Sequence, residues 1–149
     1  MATVNMNQPE LPAAYEPVEL DGNRNVLEMA QQMATQGNGE GTLVWASRQP
    51  RGTFRPNKEW FSPNDGLYLG LILEPEFAPE VAGEIALVGL LSLGMALAES
   101  VAPLTDLRYR WPNDVLLSGS KVGGVALRRD LDAGWMVLAV SVNVATEPV

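Results

Sequence analysis

Two stretches in the second half of the chain combine residue types that can hold an anionic substrate. Residues 110–114 read Arg-Trp-Pro-Asn-Asp, which places a cation, an indole ring, a rigid corner, an amide and a carboxylate in consecutive positions. Lys121 begins a Lys-Val-Gly-Gly segment, where glycines inside a strand indicate a β-bulge or a ligand lying against the backbone. Plainer explanations stay open, because Asn and Asp after Pro commonly form a turn and a lysine beside a hairpin is commonly solvated.

A third stretch, residues 49–60, forms a basic segment after a short β-prone run. Gly52 would let the backbone approach an anion closely. Arg55 offers a planar fork suited to phosphate or carboxylate, and Trp60 offers a flat face for an aromatic ligand. A flexible, solvated basic loop explains the same composition equally well.

A fourth stretch lies in the last β-prone run of the chain, residues 140–144. Alternation along a strand sends Ser141 and Asn143 to one face of the sheet and the intervening valines to the other. The side chain of Asn143 therefore faces either a ligand or the solvent.

Composition limits the chemistry of the 149-residue chain, which has no cysteine and no histidine. Disulfides, thiolate metal sites, thiol nucleophiles and imidazole bases are excluded, so catalysis would depend on carboxylates, Lys, Arg or substrate groups. The net charge of −8 argues against a nucleic-acid partner. Nine of the ten basic residues nevertheless lie in residues 48–58 and 108–129, and these segments would form an anion site if the fold brings them together.

The chain shows no sign of export or membrane insertion. The first basic residue is Arg24, so a positively charged signal region is missing. The longest uncharged apolar run, residues 85–98, is shorter than the roughly 18 residues of a membrane span. We therefore expect a soluble, cytoplasmic protein with no membrane partner.

The elements that must position these residues follow from periodicity. Residues 1–18 are expected to form an irregular arm, followed by a helix from Val26 to Ala34 with Asp21 or Asn23 as N-cap. Strands are expected at 42–46 and 67–73. A mostly buried helix is expected from about 80 to 101, with the apolar face Ile85, Val88, Leu91, Met95 and Ala98.

The remaining chain predicts an antiparallel meander with strands at 107–111, 115–117, 121–127 and 135–144. These elements favour an α+β fold with a mixed, mostly antiparallel sheet and helices packed on it. We divide the chain into the arm, residues 1–18, and one domain, residues 19–149.

Taken in order, these segments resemble the catalytic domain of biotin protein ligases, in the biotin/lipoate A/B protein ligase family. The family pattern has a Gln, a Gly/Arg-rich loop ending in Trp-x-Ser, then Lys-Trp-Pro-Asn-Asp, Lys-x-x-Gly and a closing strand with Gly-x-Asn. The resemblance extends over most of the chain. The corresponding segments here are Gln49, Trp60-Phe61-Ser62, residues 110–114, residues 121–125 and residues 140–144.

The resemblance implies a class II synthetase-like core that activates biotin with ATP to biotinyl-5′-adenylate, releasing pyrophosphate. The biotinyl group then passes to a lysine of a biotin carboxyl carrier domain, which would be the protein partner. Mg²⁺ is expected to accompany ATP, and no resident metal ligands are implied. The resemblance leaves a homodimer open.

The resemblance also implies roles for particular residues. Catalytic roles fall to Arg110, Lys121 and Arg55. Biotin-binding roles fall to Gln49, Gly52, Arg55, Arg110, Gly123 and Gly124. Nucleotide-binding roles fall to Trp60, Asn113, Asp114, Lys121 and Asn143.

Departures from the pattern keep other functions open. The loop after Gly52 is short of two family glycines and at least one arginine, and Arg110 replaces the motif lysine. The domain is also expected to be shortened at its C-terminus, because the chain ends soon after Asn143. The alternatives are a non-catalytic module that binds biotin, a related acid or a nucleotide, and lipoate or octanoate transfer on the same scaffold.

Overall fold

A seven-stranded sheet forms the centre of the computed structural model, which describes residues 10–50, 52–55, 58–60 and 65–144, without the side chains of 52–55, 58–60 and 79. Strands β1 and β2 are parallel, and the other paired neighbours in the sheet are antiparallel. The expected α+β class with a mostly antiparallel sheet is confirmed. In spatial order the strands are β1 (Glu16–Glu19), β2 (Thr42–Ala46), β5 (Gly66–Leu73), β9 (Trp135–Asn143), β8 (Ser120–Asp130), β7 (Asp114–Leu117) and β6 (Leu107–Arg110).

Two helices, α1 (Val26–Thr35) and α2 (Glu84–Ser100), pack on opposite faces of the sheet. One apolar cluster joins α1 to the face that carries Val137 and Ala139. A second cluster joins α2 to the face that carries Val142. The two surfaces are called the α1 face and the α2 face below.

The sequence located α1 correctly but not its cap. Asn25 is the N-cap, and its Oδ1 accepts a hydrogen bond from the backbone N–H of Glu28 at 3.2 Å. Asp21 instead accepts hydrogen bonds from Asn23, so the two predicted caps form a separate turn. Asp and Asn are both good capping residue types, so residue type could not distinguish Asp21 and Asn23 from Asn25. The cap is Asn25 because the backbone becomes helical directly after it.

The predicted buried face of α2 is wrong. Val88, Leu91 and Met95 are exposed to 57%, 55% and 66%. The buried side carries Leu90 and Leu93 with Gly89 and Gly94. The glycines allow this side of α2 to pack closely on the sheet. A Cβ on Gly89 would lie 2.8 Å from Leu138 Cδ2, and one on Gly94 would overlap the hydroxyl of Tyr109. Because α2 is apolar all round, its hydrophobic pattern could not identify the packed side.

Two segments predicted to be irregular contain strands. Residues 16–18 of the expected arm belong to β1, an edge strand that pairs with β2. The basic segment contains a two-stranded sheet, β3 (Gly52–Arg55) and β4 (Lys58–Trp60). All three strands are short and rich in polar residues or proline, so none shows the alternation typical of a half-buried strand.

The C-terminal meander is confirmed, with β8 longer than expected. Its central hairpin turns at Ser118 and Gly119, which have φ angles of 49° and 86°. Two residues with positive φ match the right-handed twist of a two-residue hairpin. None of the helices in the described part of the chain is long and apolar enough to span a membrane.

Candidate functional site

The α1 face carries five of the residues that the sequence singled out: Arg110, Asp114, Lys121, Gly124 and Asn143. Gly123 pairs with Val142 and lies on the α2 face. Paired positions run across the sheet from Arg110 to Asp114, then to Gly124, Ser141 and Tyr68. Directly paired residues point to the same side of a sheet, so these five residues form one row. Helix α1 packs on β2, β5 and β9, whereas β6, β7 and β8 carry α2 on their opposite side. The β6 end of the row therefore lies beside α1 rather than beneath it.

Three charged residues at this end form what we term the ion cluster: Arg110, Asp114 and Lys121. Asp114 Oδ2 accepts hydrogen bonds from Arg110 Nε at 2.9 Å and from Arg110 Nη2 at 2.6 Å. Asp114 Oδ1 lies 2.7 Å from Lys121 Nζ. The Asp114 side chain is 13% exposed, the Lys121 side chain 29% and the Arg110 side chain 60%. One nearly buried carboxylate thus holds two cations, which leaves the cluster with a net positive charge.

The pKa of Asp114 reflects this arrangement. Burial alone would raise the pKa, but hydrogen bonds and charges from Lys121 and Arg110 outweigh burial and hold the pKa below its usual value of 3.8. Asp114 is therefore ionised at neutral pH. Its two oxygens face cations, an environment unlike that of a carboxylate contacting phosphate.

A β-bulge brings Lys121 into the ion cluster. Val115 pairs with Gly123, but Leu116 pairs with Lys121, so Val122 is an extra residue in β8. Without that residue Lys121 would fall on the α2 face, because side chains alternate along a strand. The glycine pair had indicated a bulge or a bound ligand, and the structure contains the bulge.

The glycines of β8 are required by packing inside the chain. A Cβ on Gly124 would lie 2.8 Å from the backbone oxygen of Asn113, 3.4 Å from Asp114 Oδ1 and 3.5 Å from Lys121 Cε. A Cβ on Gly123 would lie 2.9 Å from the backbone oxygen of Ser141. Close strand packing therefore explains both glycines, and their contact with biotin stays a prediction.

Gln49 lies at the N-terminus of α1. It is 8% exposed, and its Oε1 accepts a hydrogen bond from the backbone N–H of Val26 at 3.1 Å. That N–H belongs to the first turn of the helix, where backbone donors lack intrahelical partners. Gln49 thus has a structural role that the sequence did not reveal, and it fixes the chain after β2 against the helix.

Two asparagines behave differently in the site. Asn113 continues the ladder beyond β7, because its backbone oxygen accepts from Val125 N–H at 2.9 Å and its Nδ2 donates to the Val125 oxygen at 3.3 Å. Asn143 pairs with Gly66 and carries a buried Oδ1 that has no hydrogen-bond partner among the described residues. A buried polar atom without a partner is costly, so Asn143 Oδ1 is suited to receive a donor from a ligand.

The remaining predicted residues lie in the β3–β4 hairpin. Gly52, Arg55 and Trp60 belong to its strands, and Gly52 pairs with Trp60. The side chains of Arg55 and Trp60 are outside the described part of the structure. The hairpin connects β2 to β5 at the sheet end that carries Gln49, since Gly66 N–H donates to the Ser47 oxygen there.

A cleft of about 450 Å³ lies next to the ion cluster, between the start of α2 and residues 111–113, which join Arg110 to Asp114. Exposed Trp111 and Pro112 line one end, and Glu80 and Glu84 line the wall formed by the start of α2. Its floor includes residues 126–128 of β8. These residues pair with β9 on one side, but β7 ends before it reaches them on the other side. Asn113, one of the predicted nucleotide-binding residues, lines this cleft, whereas Arg110, Asp114 and Lys121 do not.

The ion cluster, Gln49 and Asn143 lie on different strands but toward the same strand ends, where they supply cations, an amide and an unsatisfied acceptor. Such a surface can hold carboxylate and phosphate groups, because Arg and Lys supply charged donors for both. The sequence identified the residue types. It missed the bonds by which Asp114 joins the two cations and by which Gln49 joins α1.

The sequence model of the biotin/lipoate A/B protein ligase family matches residues 25–146. A biotin--[acetyl-CoA-carboxylase] ligase of Paracoccus denitrificans is 36% identical over 101 residues, 68% of this chain and 42% of that protein. The bifunctional ligase/repressor BirA of Bacillus subtilis (strain 168) is 27% identical over 123 residues, 80% of this chain and 37% of that protein. The chain thus spans about two fifths of the length of these relatives.

Solved structures extend the likeness to the fold. The biotin protein ligase of Aquifex aeolicus in complex with biotin and ATP has a TM-score of 0.71 and 27% identity, covering 89% of this chain and 54% of that one. The biotin protein ligase of Leishmania major in complex with biotinyl-5-AMP has a TM-score of 0.74 and 21% identity, covering 93% of this chain and 60% of that one.

Proposed function

This chain belongs to the biotin/lipoate A/B protein ligase family, and we propose that it is a biotin protein ligase. In the proposed first step a carboxylate oxygen of biotin attacks the α-phosphorus of ATP, and pyrophosphate leaves. In the second step the amine of a carrier lysine attacks the acyl carbon, AMP leaves and the amine loses a proton. Neither step needs a thiol or an imidazole, which the chain lacks.

The observation that supports this proposal most directly is the ion cluster on the open part of the α1 face. Adenylation must bring two anions together, the biotin carboxylate and the triphosphate, and the main task of the protein is to hold them in attack geometry. Arg110 and Lys121 lie on either side of one carboxylate, which fixes the positions of both cations. We assign them the biotin carboxylate and the α-phosphate, whose negative charge increases in the transition state.

The other assignments rest on the family resemblance together with position. We propose that Gln49 and Gly124 border the biotin site and that Asn143 Oδ1 accepts a hydrogen bond from the bound intermediate. For Gly123 the resemblance alone supports a biotin role, because a Cβ there would lie 3.3 Å from Leu93 Cδ2 of α2, on the opposite face. Gly52 and Arg55 are assigned to the loop over biotin. Trp60 and Asn113 are assigned to the nucleotide.

Mg²⁺ is proposed to enter with ATP rather than in a resident site. Among the described residues, no group of three or more Asp, Glu, His or Cys side chains could hold a metal ion. The reason for this proposal is general: Mg²⁺ is usually held by substrate phosphate oxygens and water.

The proposed macromolecular partner is the biotin carboxyl carrier domain of a carboxylase, and the proposed location is the cytoplasm, where ATP is available.

We also propose that two copies can pair through β8. Residues 126–130 of β8 pair with β9 and extend past the part that pairs with β7. Residues 129 and 130 of this edge are exposed and 126–128 are half-buried at the cleft floor. A strand edge without a neighbour can pair with the same edge of a second copy about a two-fold axis. Sedimentation of the purified chain tests this pairing, which predicts a dimer that dissociates on Leu127→Pro.

A transfer assay tests the proposed function. The chain is incubated with biotin, MgATP and a purified carrier domain, and the carrier is weighed by mass spectrometry. We expect one biotinyl group on the carrier lysine. We also expect Arg55→Ala and Lys121→Ala each to weaken adenylate binding by about 1.5–3 kcal/mol, the scale of a hydrogen bond to a charged group.

Arg108→Ala is the matched control for these losses. Arg108 lies in β6 two residues before Arg110, and it forms an exposed ion pair with Asp106 at 2.8 Å. Its removal should leave transfer unchanged, because exposed ion pairs contribute little. An unmodified carrier in the presence of folded wild-type chain, biotin and MgATP would contradict the proposal.

A second candidate is a module that binds biotin or the nucleotide without turnover. The observation that favours it is that Arg110, which stands where the family has lysine, directs Nε and Nη2 toward Asp114. The planar guanidinium of Arg110 is held by two hydrogen bonds, whereas the ammonium of the family lysine is a compact charge on a flexible stem. Biotin-induced thermal stabilisation without pyrophosphate release would support this candidate, and gain of turnover in Arg110→Lys would identify the residue responsible.

A further inference from the structure

The centre of the ion cluster is an acid, which needs an explanation in a site proposed to bind two anions. Asp114 lies in β7 between the strands that carry the two cations. Its two oxygens divide between them: Oδ2 faces Arg110 and Oδ1 faces Lys121 at 2.7 Å. A carboxylate placed in this way would repel phosphate if it contacted the substrate, so direct nucleotide contact is a poor use of Asp114.

The surrounding backbone is arranged to allow these contacts. The bulge at Val122 turns Lys121 onto the face that carries Asp114. Gly124 lies on the same face as this pair, and a Cβ there would make ordinary van der Waals contacts with Asp114 Oδ1 at 3.4 Å and Lys121 Cε at 3.5 Å. The bulge thus brings one ammonium to one carboxylate oxygen. Bulges commonly redirect side chains next to active sites.

We infer that Asp114 is a positioning residue, which fixes Arg110 and Lys121 in the orientation that receives the substrate anions. This inference rests on the proposed function and replaces the nucleotide contact expected for Asp114. The Arg110 side chain is 60% exposed, so its guanidinium still faces solvent on the side away from Asp114. Long cationic side chains otherwise occupy many rotamers, and fixing them before binding lowers the entropy cost of the reaction.

The kinetic test compares Asp114→Asn, Asp114→Glu and Asp106→Asn in biotin-dependent pyrophosphate release. Asp114→Asn should lower kcat by about 10- to 100-fold, the loss typical when the partner that orients a functional group is removed. KM should change far less, because misplaced cations still attract the anions of the bound substrates. They no longer match the geometry of the transition state, so the loss falls on kcat. Asp114→Glu should recover part of kcat. Asp106→Asn removes the exposed carboxylate that pairs with Arg108 and should behave as wild type.

A second measurement does not depend on turnover. The sequence contains two lysines, Lys58 and Lys121, so Lys58 can serve as an internal reference. Trace acetylation of the folded chain with acetic anhydride, followed by peptide mass spectrometry, gives the ratio of Lys121 to Lys58 modification. Asp114→Asn should raise this ratio by about threefold or more, because an ion-paired ammonium must leave its partner and lose its proton before it reacts. Asp106→Asn should leave it unchanged.

The two measurements separate the inference from the proposed function. A raised acetylation ratio together with an inactive wild type supports the ion cluster and overturns the ligase proposal. An active wild type with unchanged kcat and an unchanged ratio in Asp114→Asn overturns the positioning role. Additive losses in Asp114→Asn and Arg110→Ala would also overturn it, since residues that act through one another are expected to be non-additive.

Discussion

Gln49 provides a sharp test of the site, because one side chain is expected to stabilise α1 and to border biotin. Its Oε1 accepts the hydrogen bond from the backbone N–H of Val26 at 3.1 Å, and Val26 is 2% exposed. Water cannot easily replace the lost acceptor at such a position. Removing the acceptor should therefore cost about 1–3 kcal/mol of unfolding free energy, the penalty for a buried donor without a partner.

Two substitutions of similar size separate the two roles. Gln49→Met fills the space without an acceptor and should lose the full 1–3 kcal/mol, a fall in Tm of roughly 3 °C per kcal/mol. Gln49→Glu keeps an acceptor at a helix N-terminus, where negative charge is favourable, and should stay within about 1 kcal/mol of wild type. Urea unfolding followed by circular dichroism measures both variants.

Calorimetry with biotin completes the experiment. Gln49→Glu replaces the amide with an acid that repels the biotin carboxylate, so its biotin affinity should fall by at least about tenfold, or 1.4 kcal/mol. Equal unfolding free energies for Gln49→Met and Gln49→Glu would refute the role of the hydrogen bond to Val26. Unchanged biotin binding by a stable Gln49→Glu would refute the assignment of Gln49 to the biotin site.

Three further predictions concern packing and charge. Gly124→Ala should cost about 1–3 kcal/mol in urea unfolding because its Cβ meets backbone, whereas Gly83→Ala, with nothing within 4 Å, should be neutral. Leu91→Gln on the exposed side of α2 should change stability by less than about 0.5 kcal/mol, but Leu90→Ala on the buried side should cost about 2–5 kcal/mol. The pKa of Asp114 is lower folded than unfolded, so its contribution to stability is present above pH 3.8 and is lost as pH falls through the folded pKa. Unfolding free energies measured from pH 5 to pH 2 should therefore fall more for wild type than for Asp114→Asn, and parallel curves would contradict the ion cluster.

Regular elements with a clear period could be predicted from the sequence. Strand β9 is one case, since its alternation correctly placed Ser141 and Asn143 opposite the valines that pack under α2. Helix α1 is another, with only its cap misplaced. The buried side of α2 could not be predicted, because every side of that helix is apolar and its contacts with Leu138 and Tyr109 come from distant strands.

The residue types of the candidate site could be predicted from the sequence, but the contacts between those residues could not. The charged residues of 110–114 and Lys121 are visible in the sequence, yet their common carboxylate depends on a one-residue bulge in β8. A bulge changes which face a side chain occupies, and the glycine pair indicated only that one could be present. The structural role of Gln49 depends on a contact with Val26, far away in sequence, which no local pattern could indicate.

The most direct test of the central proposal is to look for the intermediate itself. The chain is mixed with biotin and MgATP, separated from free ligand by gel filtration and analysed by mass spectrometry, with released pyrophosphate measured in parallel. The proposal predicts protein-bound biotinyl-5′-adenylate and biotin-dependent pyrophosphate, both retained in Arg108→Ala and diminished in Lys121→Ala. A folded wild-type chain that binds biotin but yields neither adenylate nor pyrophosphate would contradict it.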